Sequence, residues 1–301
     1  MGKILLGFNG NCFTNRYDEP EVWTKICKDM GIHHVMFNVD LIDPYWSWDT
    51  QKALADRTLE ACDKNDVKIF SAFGGHHGHQ HYMGHFDKAA RREAVDFFKR
   101  AAKLTAYLGG KSFGTCFAIM TDRCNRDAAL RREIIESALA SYAQVAEYGA
   151  EVGLSSIAYE MTSVDRESCA TFEENDYILE RGRDMAIPLH VCLDMGHRNM
   201  HTTPQEASHI EWIRRYAYCA DVIDCQQTDM QASRHWPFTP EYNEKGVIRG
   251  DEIVKAITDA KPDHDILLSF ELRSAAFWPQ DNGHLSILRA SVDYWRQFVK
   301  D

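Results

Sequence analysis

Four apolar runs in the second half of the chain each lead into an acid or an amide. Ile157-Ala-Tyr leads into Glu160, His190-Val-Cys-Leu into Asp194, Val222-Ile-Asp-Cys into Gln226, and Ile266-Leu-Leu-Ser-Phe into Glu271. Any one of these polar residues could simply open a solvated loop. Four in succession, each directly after an apolar run, point to a common site. Three carboxylates brought to one place repel one another strongly, and a divalent cation is the simplest remedy. Carboxylates and the amide oxygen of Gln226 are hard donors that suit Mg²⁺ or Mn²⁺, with Co²⁺ a further candidate; Zn²⁺ would favour more His or Cys. Beside Asp194, the stretch Asp194-Met-Gly196-His197 sets an imidazole three residues from the acid, and Gly196 lets the backbone turn between them.

These residues matter only if the chain brings them together, and its pattern supplies the means. Ile4–Asn9 is a short apolar run ending in Asn-Gly-Asn, a strand and a turn. Glu19-Pro20-Glu21 opens a helix to Met30, closed by Gly31. The same strand–helix unit then repeats. Strands are expected at 34–39, 67–73, 112–119, 155–160, 187–194, 222–226 and 266–271. Helices are expected at 50–65, 88–108, 127–152, 172–185, 204–218, 250–260 and 285–299. Eight such units with no linker or composition shift predict a parallel sheet closed into a (β/α)₈ TIM barrel, one α/β domain over residues 1–301. An open doubly wound sheet is the structural alternative. It usually carries G-x-G-x-x-G after its first strand, which Gly7-Phe-Asn-Gly10-Asn-Cys12 does not match.

The bulk composition excludes several classes. The 301 residues include 45% hydrophobic side chains and carry a formal net charge of −11, so a nucleic-acid backbone is repelled on average. No segment approaches the ~18 apolar residues of a membrane span. The N-terminal Met1-Gly-Lys-Ile-Leu-Leu-Gly runs straight into a strand pattern without a signal peptide. Nine scattered cysteines form no Cys-x-x-Cys pair. A reducing cytoplasm, with the cysteines as small core residues, is the expected setting.

Over essentially its whole length the chain resembles the xylose isomerase-like TIM-barrel superfamily of sugar isomerases and epimerases, which includes tagatose 3-epimerase. In that family strand five supplies a metal-binding Glu, strand six an Asp in Asp-x-x-His, strand seven a His and strand eight a Glu. The resemblance implies Glu160, Asp194 and Glu271 as metal ligands and His197 as a substrate contact. The family's strand-seven motif resembles His-x-x-Asp, whereas here it is Gln226-Gln-Thr-Asp229. Gln226, Gln227 or a water is then left to complete the coordination. Three stretches resemble a narrower branch: Glu160-Met-Thr-Ser-Val-Asp-Arg166-Glu167, Gln226-Gln-Thr-Asp with His235-Trp-Pro-Phe, and Asp40-Leu-Ile-Asp-Pro-Tyr-Trp46. That branch contains apiose isomerase and the tetrulose-phosphate epimerases.

The chemistry implied is removal of a proton from the carbon beside a sugar carbonyl, with the developing enediolate stabilised by a Lewis-acid metal. In the resembling epimerases the strand-five and strand-eight glutamates move that proton while also binding metal, so Glu160 and Glu271 are the expected acid/base pair. A metal-assisted hydride shift, as in xylose isomerase, competes and would leave both as ligands only. The leading expectation is an isomerase or epimerase of a short or branched sugar or sugar phosphate, such as apiose isomerase, with a tetrulose-phosphate 3-epimerase or racemase and an inosose-type polyol dehydratase as alternatives. An endonuclease IV-like phosphodiesterase would need more histidine ligands and a basic face, and a non-catalytic sugar-binding barrel would not need paired glutamates.

Further loop residues are candidates for substrate contact. His76, His77, His79 and His81 cluster after strand three, as either sugar-hydroxyl donors or a solvated loop. Tyr45, Trp46 and Trp48 follow strand two, as a wall for a sugar's C–H face, a cover for the barrel mouth or a subunit contact. Arg166 could hold a phosphate or pair with Asp165 or Glu167. His235 and Trp236 lie in a long loop able to act as a lid, and Arg234 could be a solvated charge there. Exposed aromatics suggest a homodimer or homotetramer.

Overall fold

The computed structural model describes residues 2–75, 83–197, 203–229, 231–272 and 283–300. Eight parallel strands close into a barrel in chain order. They are β1 (Ile4–Asn9), β2 (His34–Asn38), β3 (Lys68–Phe73), β4 (Ser112–Cys116), β5 (Ser156–Glu160), β6 (Leu189–Asp194), β7 (Val222–Cys225) and β8 (Ile266–Phe270). Helices follow the strands, so the strands have two covered faces and near-continuous burial. Every residue of β4, β5 and β8 is buried. The expected (β/α)₈ architecture is therefore the observed one.

The sequence marks the helix ends with residues that satisfy exposed backbone N–H groups. The Asp87 carboxylate accepts from the N–H groups of Ala89 and Ala90 to open Lys88–Tyr107. Asp127 does the same from Ala129 and Leu130 for Ala128–Val152, which ends at Gly153 with φ 96°. Several boundaries move, among them the ends of the helices expected to reach 185 and 299, which stop at Gly182 and Trp295, and two of the shifts have a visible cause. The helix expected from Pro204 begins at His209, because Ser208 accepts from the N–H of Glu211 and sets the start there. Strand β4 stops at Cys116 rather than Ile119. Phe117 to Met120 stay buried, and Met120 N–H bonds instead to the carbonyl of Arg166. Two short helices, Asp122–Arg126 and Pro240–Lys245, stand where loops were expected. Pro at the start and few apolar residues hide the second from a periodicity argument.

The chain divides into two compact units. One comprises Met1–Met36, Glu60–Lys68 and Leu193–Asp301, the other Phe37–Leu59 and Ile69–Cys192. In the first, β1 pairs with both β2 and β8, and β7 with β8. Its core includes Phe8 against Phe13 and Phe270 at ring-centroid distances of 5.5 and 5.6 Å. In the second, β3, β4, β5 and the start of β6 form a continuous ladder. Phe117 stacks on Tyr142 at 5.1 Å, and the Tyr159 hydroxyl donates to Asn175 at 2.7 Å. Among the described residues, no helix is long and apolar enough to cross a membrane.

Candidate active site

The carboxyl ends of β6, β7 and β8, with the turn after β1, carry a buried cluster of acids, amides and imidazoles. Asp194 closes β6 and is paired in register with Asp224 of β7. Both are almost fully buried, at 3% and 1% exposure. Glu271 follows β8 directly, with its N–H still bonded to the Cys225 carbonyl at 3.1 Å. Strand pairing thus sets three acids close together in a dry environment, where like charges are costly unless a proton or cation is shared.

Each acid is held by neutral or imidazole donors. Asp194 accepts from the Gly196 N–H at 2.5 Å and from the Gln226 amide at both oxygens, at 3.0 and 2.9 Å. His197 Nε2 lies 3.8 Å from Asp194 Oδ2. Glu271 Oε1 accepts from Asn11 Nδ2 at 3.3 Å, and Glu271 Oε2 lies 3.3 Å from His235 Nδ1. Asn9 orients Asn11 by accepting from its N–H at 3.0 Å and reaches Asp224 at 3.5 Å. Burial pushes the Asp194 carboxyl upward, but His197, a hydrogen bond with Glu271, His235 and Gln226 together hold it below the ordinary aspartate value. Oxygens of Asp194 and Glu271 and a ring nitrogen of His235 lie within 4.8 Å of one another. Carboxylate oxygens plus one imidazole, with no lysine or arginine among the groups that shift Asp194, form a donor set suited to a divalent cation.

Gln226, expected as a strand-seven donor, has its amide nitrogen on Asp194. Its oxygen accepts from the His235 N–H at 2.6 Å and from Ser233 Oγ at 3.2 Å. Gly196 makes room for it: a Cβ there would lie 2.2 Å from Gln226 Cδ. Gln227 takes a structural position. Its side chain donates to Asn243 and to the Ile248 carbonyl, each at 3.0 Å, and accepts from the N–H groups of Thr228 and Ile248. The loop after β7 folds back through paired Gln227–Trp236 backbone bonds of 2.8 and 3.0 Å, and His235, at φ 49°, lies beside Asp194 and Glu271.

Glu160 ends β5 and is 4% exposed. It pairs in register with Cys192, two residues before Asp194 on β6. Side chains two apart on a strand share a face, so Cys192 and Asp194 project from β6 on the same side. Cys116 Sγ lies 3.9 Å from Glu160 Oε2.

The other expected contacts are placed as follows. His197 and His235 meet edge to face at 5.7 Å. Arg166 is exposed and pairs with Glu167 at 3.4 Å in the short helix after β5. Trp46 is 43% exposed. Tyr45 packs on Phe97 at 5.2 Å, and Trp48 meets Tyr107 edge-on at 5.4 Å under the Lys103 ammonium, so both turn toward the helix Lys88–Tyr107. Arg234 pairs with Asp229 at 3.1 Å. His76, His77, His79 and His81 lie outside the described residues. Four members of the cluster, Asn9, Asn11, Asp224 and Ser233, escape the sequence pattern. Asp224 had a signal, an acid within the apolar run Val222-Ile-Asp-Cys; Asn9 and Asn11 looked only like turn residues.

A closed parallel barrel with buried acids and imidazoles at the carboxyl ends of its strands has the layout of a barrel enzyme. The chain belongs to the xylose isomerase-like TIM barrel family, whose model matches residues 24–297. It is 30% identical over 301 residues to D-erythrulose 1-phosphate 3-epimerase of Brucella abortus (strain 2308), covering 98% of this chain and 96% of that protein. A crystal structure from Rhodospirillum rubrum ATCC 11170, provisionally assigned as a xylose isomerase, superposes with a TM-score of 0.89 at 23% identity, covering 99% and 100% of the two chains. D-psicose 3-epimerase of Clostridium cellulolyticum H10, solved with D-tagatose, gives 0.73 at 15% identity over 99% and 100%. At these identities the two solved structures bear on the fold alone. The chain is an enzyme of the isomerase class, in agreement with the expectation from its sequence.

Proposed function

We propose that this protein is a divalent-metal-dependent 3-epimerase of a four-carbon ketose phosphate. The observation that carries this reading is the buried cluster of Asp194, Glu271 and His235 in a chain 30% identical, end to end, to an erythrulose-phosphate epimerase. That relative favours the tetrulose phosphate over the apiose reading of the sequence. Asp194, Glu271 and Glu160 would hold Mn²⁺ or Mg²⁺. Bound there, the cation supplies Lewis-acid stabilisation of charge on the substrate oxygens.

The protein's own groups do the proton work. One of Glu160 and Glu271 takes the proton from the carbon beside the carbonyl as that C–H bond breaks and its electron pair moves toward the carbonyl oxygen. The other gives a proton to the opposite face of the same carbon, so the configuration inverts and no atom is gained or lost. Burial keeps bulk water from competing at that carbon. His197, with its ring at the edge of the acid cluster, hydrogen-bonds a substrate hydroxyl. Asn11 keeps Glu271 aimed. Arg166 and Glu167, beyond β5, contact the substrate's polar end, with Arg166 toward the phosphate.

The deciding experiment is turnover of erythrulose phosphates in deuterated water, alongside unphosphorylated four- to six-carbon sugars including apiose. Deuterium at the inverted carbon, dependence on added metal and preference for the phosphate are the expected results. Product without deuterium would favour a hydride shift, and turnover after exhaustive chelation would end the metal mechanism. Cytoplasmic location and a homodimer or homotetramer complete the proposal. Nine buried thiols without a disulfide support the first, and light scattering tests the second.

A further inference from the structure

The resemblance read from the sequence implies a histidine at the end of strand seven, and this chain has Gln226 there. We infer that His235, nine residues further on, supplies the missing nitrogen to the metal, while Gln226 positions both Asp194 and the loop that delivers it. This rests on the metal-site reading above.

Both ends of the Gln226 amide are committed. Its nitrogen bridges the two Asp194 oxygens at 3.0 and 2.9 Å, and its oxygen holds the His235 N–H at 2.6 Å and the Ser233 hydroxyl at 3.2 Å. A side chain so used cannot turn its oxygen to a cation without releasing the loop. The loop in turn is built to present one ring. The Gln227–Trp236 bridge folds it back, and the Gln227 side chain anchors it through Asn243 and Ile248. His235 adopts φ 49°, a left-handed backbone that few non-glycine residues hold without a compensating constraint. The imidazole that results is buried, at 5% exposure for the residue, between Asp194 and Glu271.

The geometry suits ligation. Donor atoms each ~2.0–2.3 Å from one cation lie no more than about 4.6 Å apart. The Asp194, Glu271 and His235 donors fall within 4.8 Å of one another, so a few tenths of an ångström of contraction closes the site. Each ring nitrogen has a holding partner for when the other binds: the Glu271 carbonyl lies 3.3 Å from Nδ1, and Ser233 Oγ lies 3.2 Å from Nε2. Such a hydrogen bond to the far nitrogen fixes the tautomer and orients the ring. A nitrogen donor among carboxylates also shifts preference from Mg²⁺ toward Mn²⁺ and Co²⁺.

The test uses the full-length protein loaded with Mn²⁺. Metal content and dissociation constant are measured for the wild type, His235→Gln, His235→Asn and His197→Gln, and pulsed electron paramagnetic resonance reads nitrogen coupling to the ion. The wild type and His197→Gln should bind one Mn²⁺ and show imidazole nitrogen coupling. The His235 variants should lose that coupling and bind Mn²⁺ at least tenfold more weakly, with a smaller loss for Mg²⁺. Two substitutions guard against one failing to fold, which thermal melting without metal reveals. Retained coupling and affinity in a folded His235 variant would overturn the inference and leave the metal site standing. Loss of coupling in His197→Gln alone would assign the nitrogen to His197 and also overturn it. A wild type that binds no Mn²⁺ would remove the metal-site reading itself.

Discussion

Replacing Gln226 by leucine removes the amide at nearly constant volume and isolates what it does. In the folded protein the amide donates to a buried carboxylate at 2.9 and 3.0 Å and accepts from a buried N–H at 2.6 Å. A hydrogen bond to a charged group contributes about 1.5–3 kcal/mol, and a buried donor left unsatisfied costs about 1–3 kcal/mol. The two losses total roughly 2.5–6 kcal/mol, and the leucine gains little apolar burial over the methylenes it replaces. Unfolding entropy is about 2.1 cal/mol/K per residue near 60 °C, hence ~0.6 kcal/mol/K for 301 residues. The melting temperature of the metal-free Gln226→Leu variant should therefore fall by about 4–10 °C in calorimetry. Gln226→Glu offers the opposite control. It keeps the shape but faces Asp194 with a like charge, so it should melt at least as low without metal and recover more than the leucine variant when Mn²⁺ is added. A fall below about 2 °C for Gln226→Leu, with no added metal response in Gln226→Glu, would refute the holding role assigned to this amide.

Other consequences can be checked separately. Gly196→Ala puts a Cβ 2.2 Å from Gln226 Cδ and should cost about 1–3 kcal/mol in urea unfolding, with weaker Mn²⁺ binding because Asp194 loses its partner. Glu160→Gln and Glu271→Gln should lower kcat by about 10²–10⁴ while leaving circular dichroism unchanged, the range expected for loss of a general acid or base. All nine cysteines are buried, and burial pushes the Cys12 and Cys62 thiols up to about 12, so the reactive thiolate is scarce at pH 8. Ellman's reagent should therefore label the native protein slowly and the guanidinium-unfolded protein at all nine positions. Arg166→Ala should raise KM for a phosphorylated substrate and leave KM for its unphosphorylated analogue nearly unchanged.

The barrel was legible because it is written in local terms. Apolar runs of strand length, Asp87 and Asp127 as helix caps and Gly153 as a stop each fix their own element, and eight repeats of one unit leave few ways to close. One boundary was misplaced because a single side chain outweighed periodicity, at Ser208. That Glu160, Asp194 and Glu271 stand at strand ends was legible for the same reason: each comes directly at the end of an apolar run.

What only the tertiary structure decided is how the neighbouring groups are used. In one dimension Gln226 and His235 are nine residues apart, and Asn11 and Glu271 are separated by most of the chain. Folding sets the Gln226 oxygen on the His235 N–H and the Asn11 amide on Glu271. Asp224 looked like one acid in an apolar strand until β6–β7 register set it opposite Asp194. The sequence could say that polar groups would gather at the strand ends, because strand direction is a local property. Which of them bond to each other depends on register between strands and on the course of the loop after β7, and both follow from long-range packing that no short motif encodes.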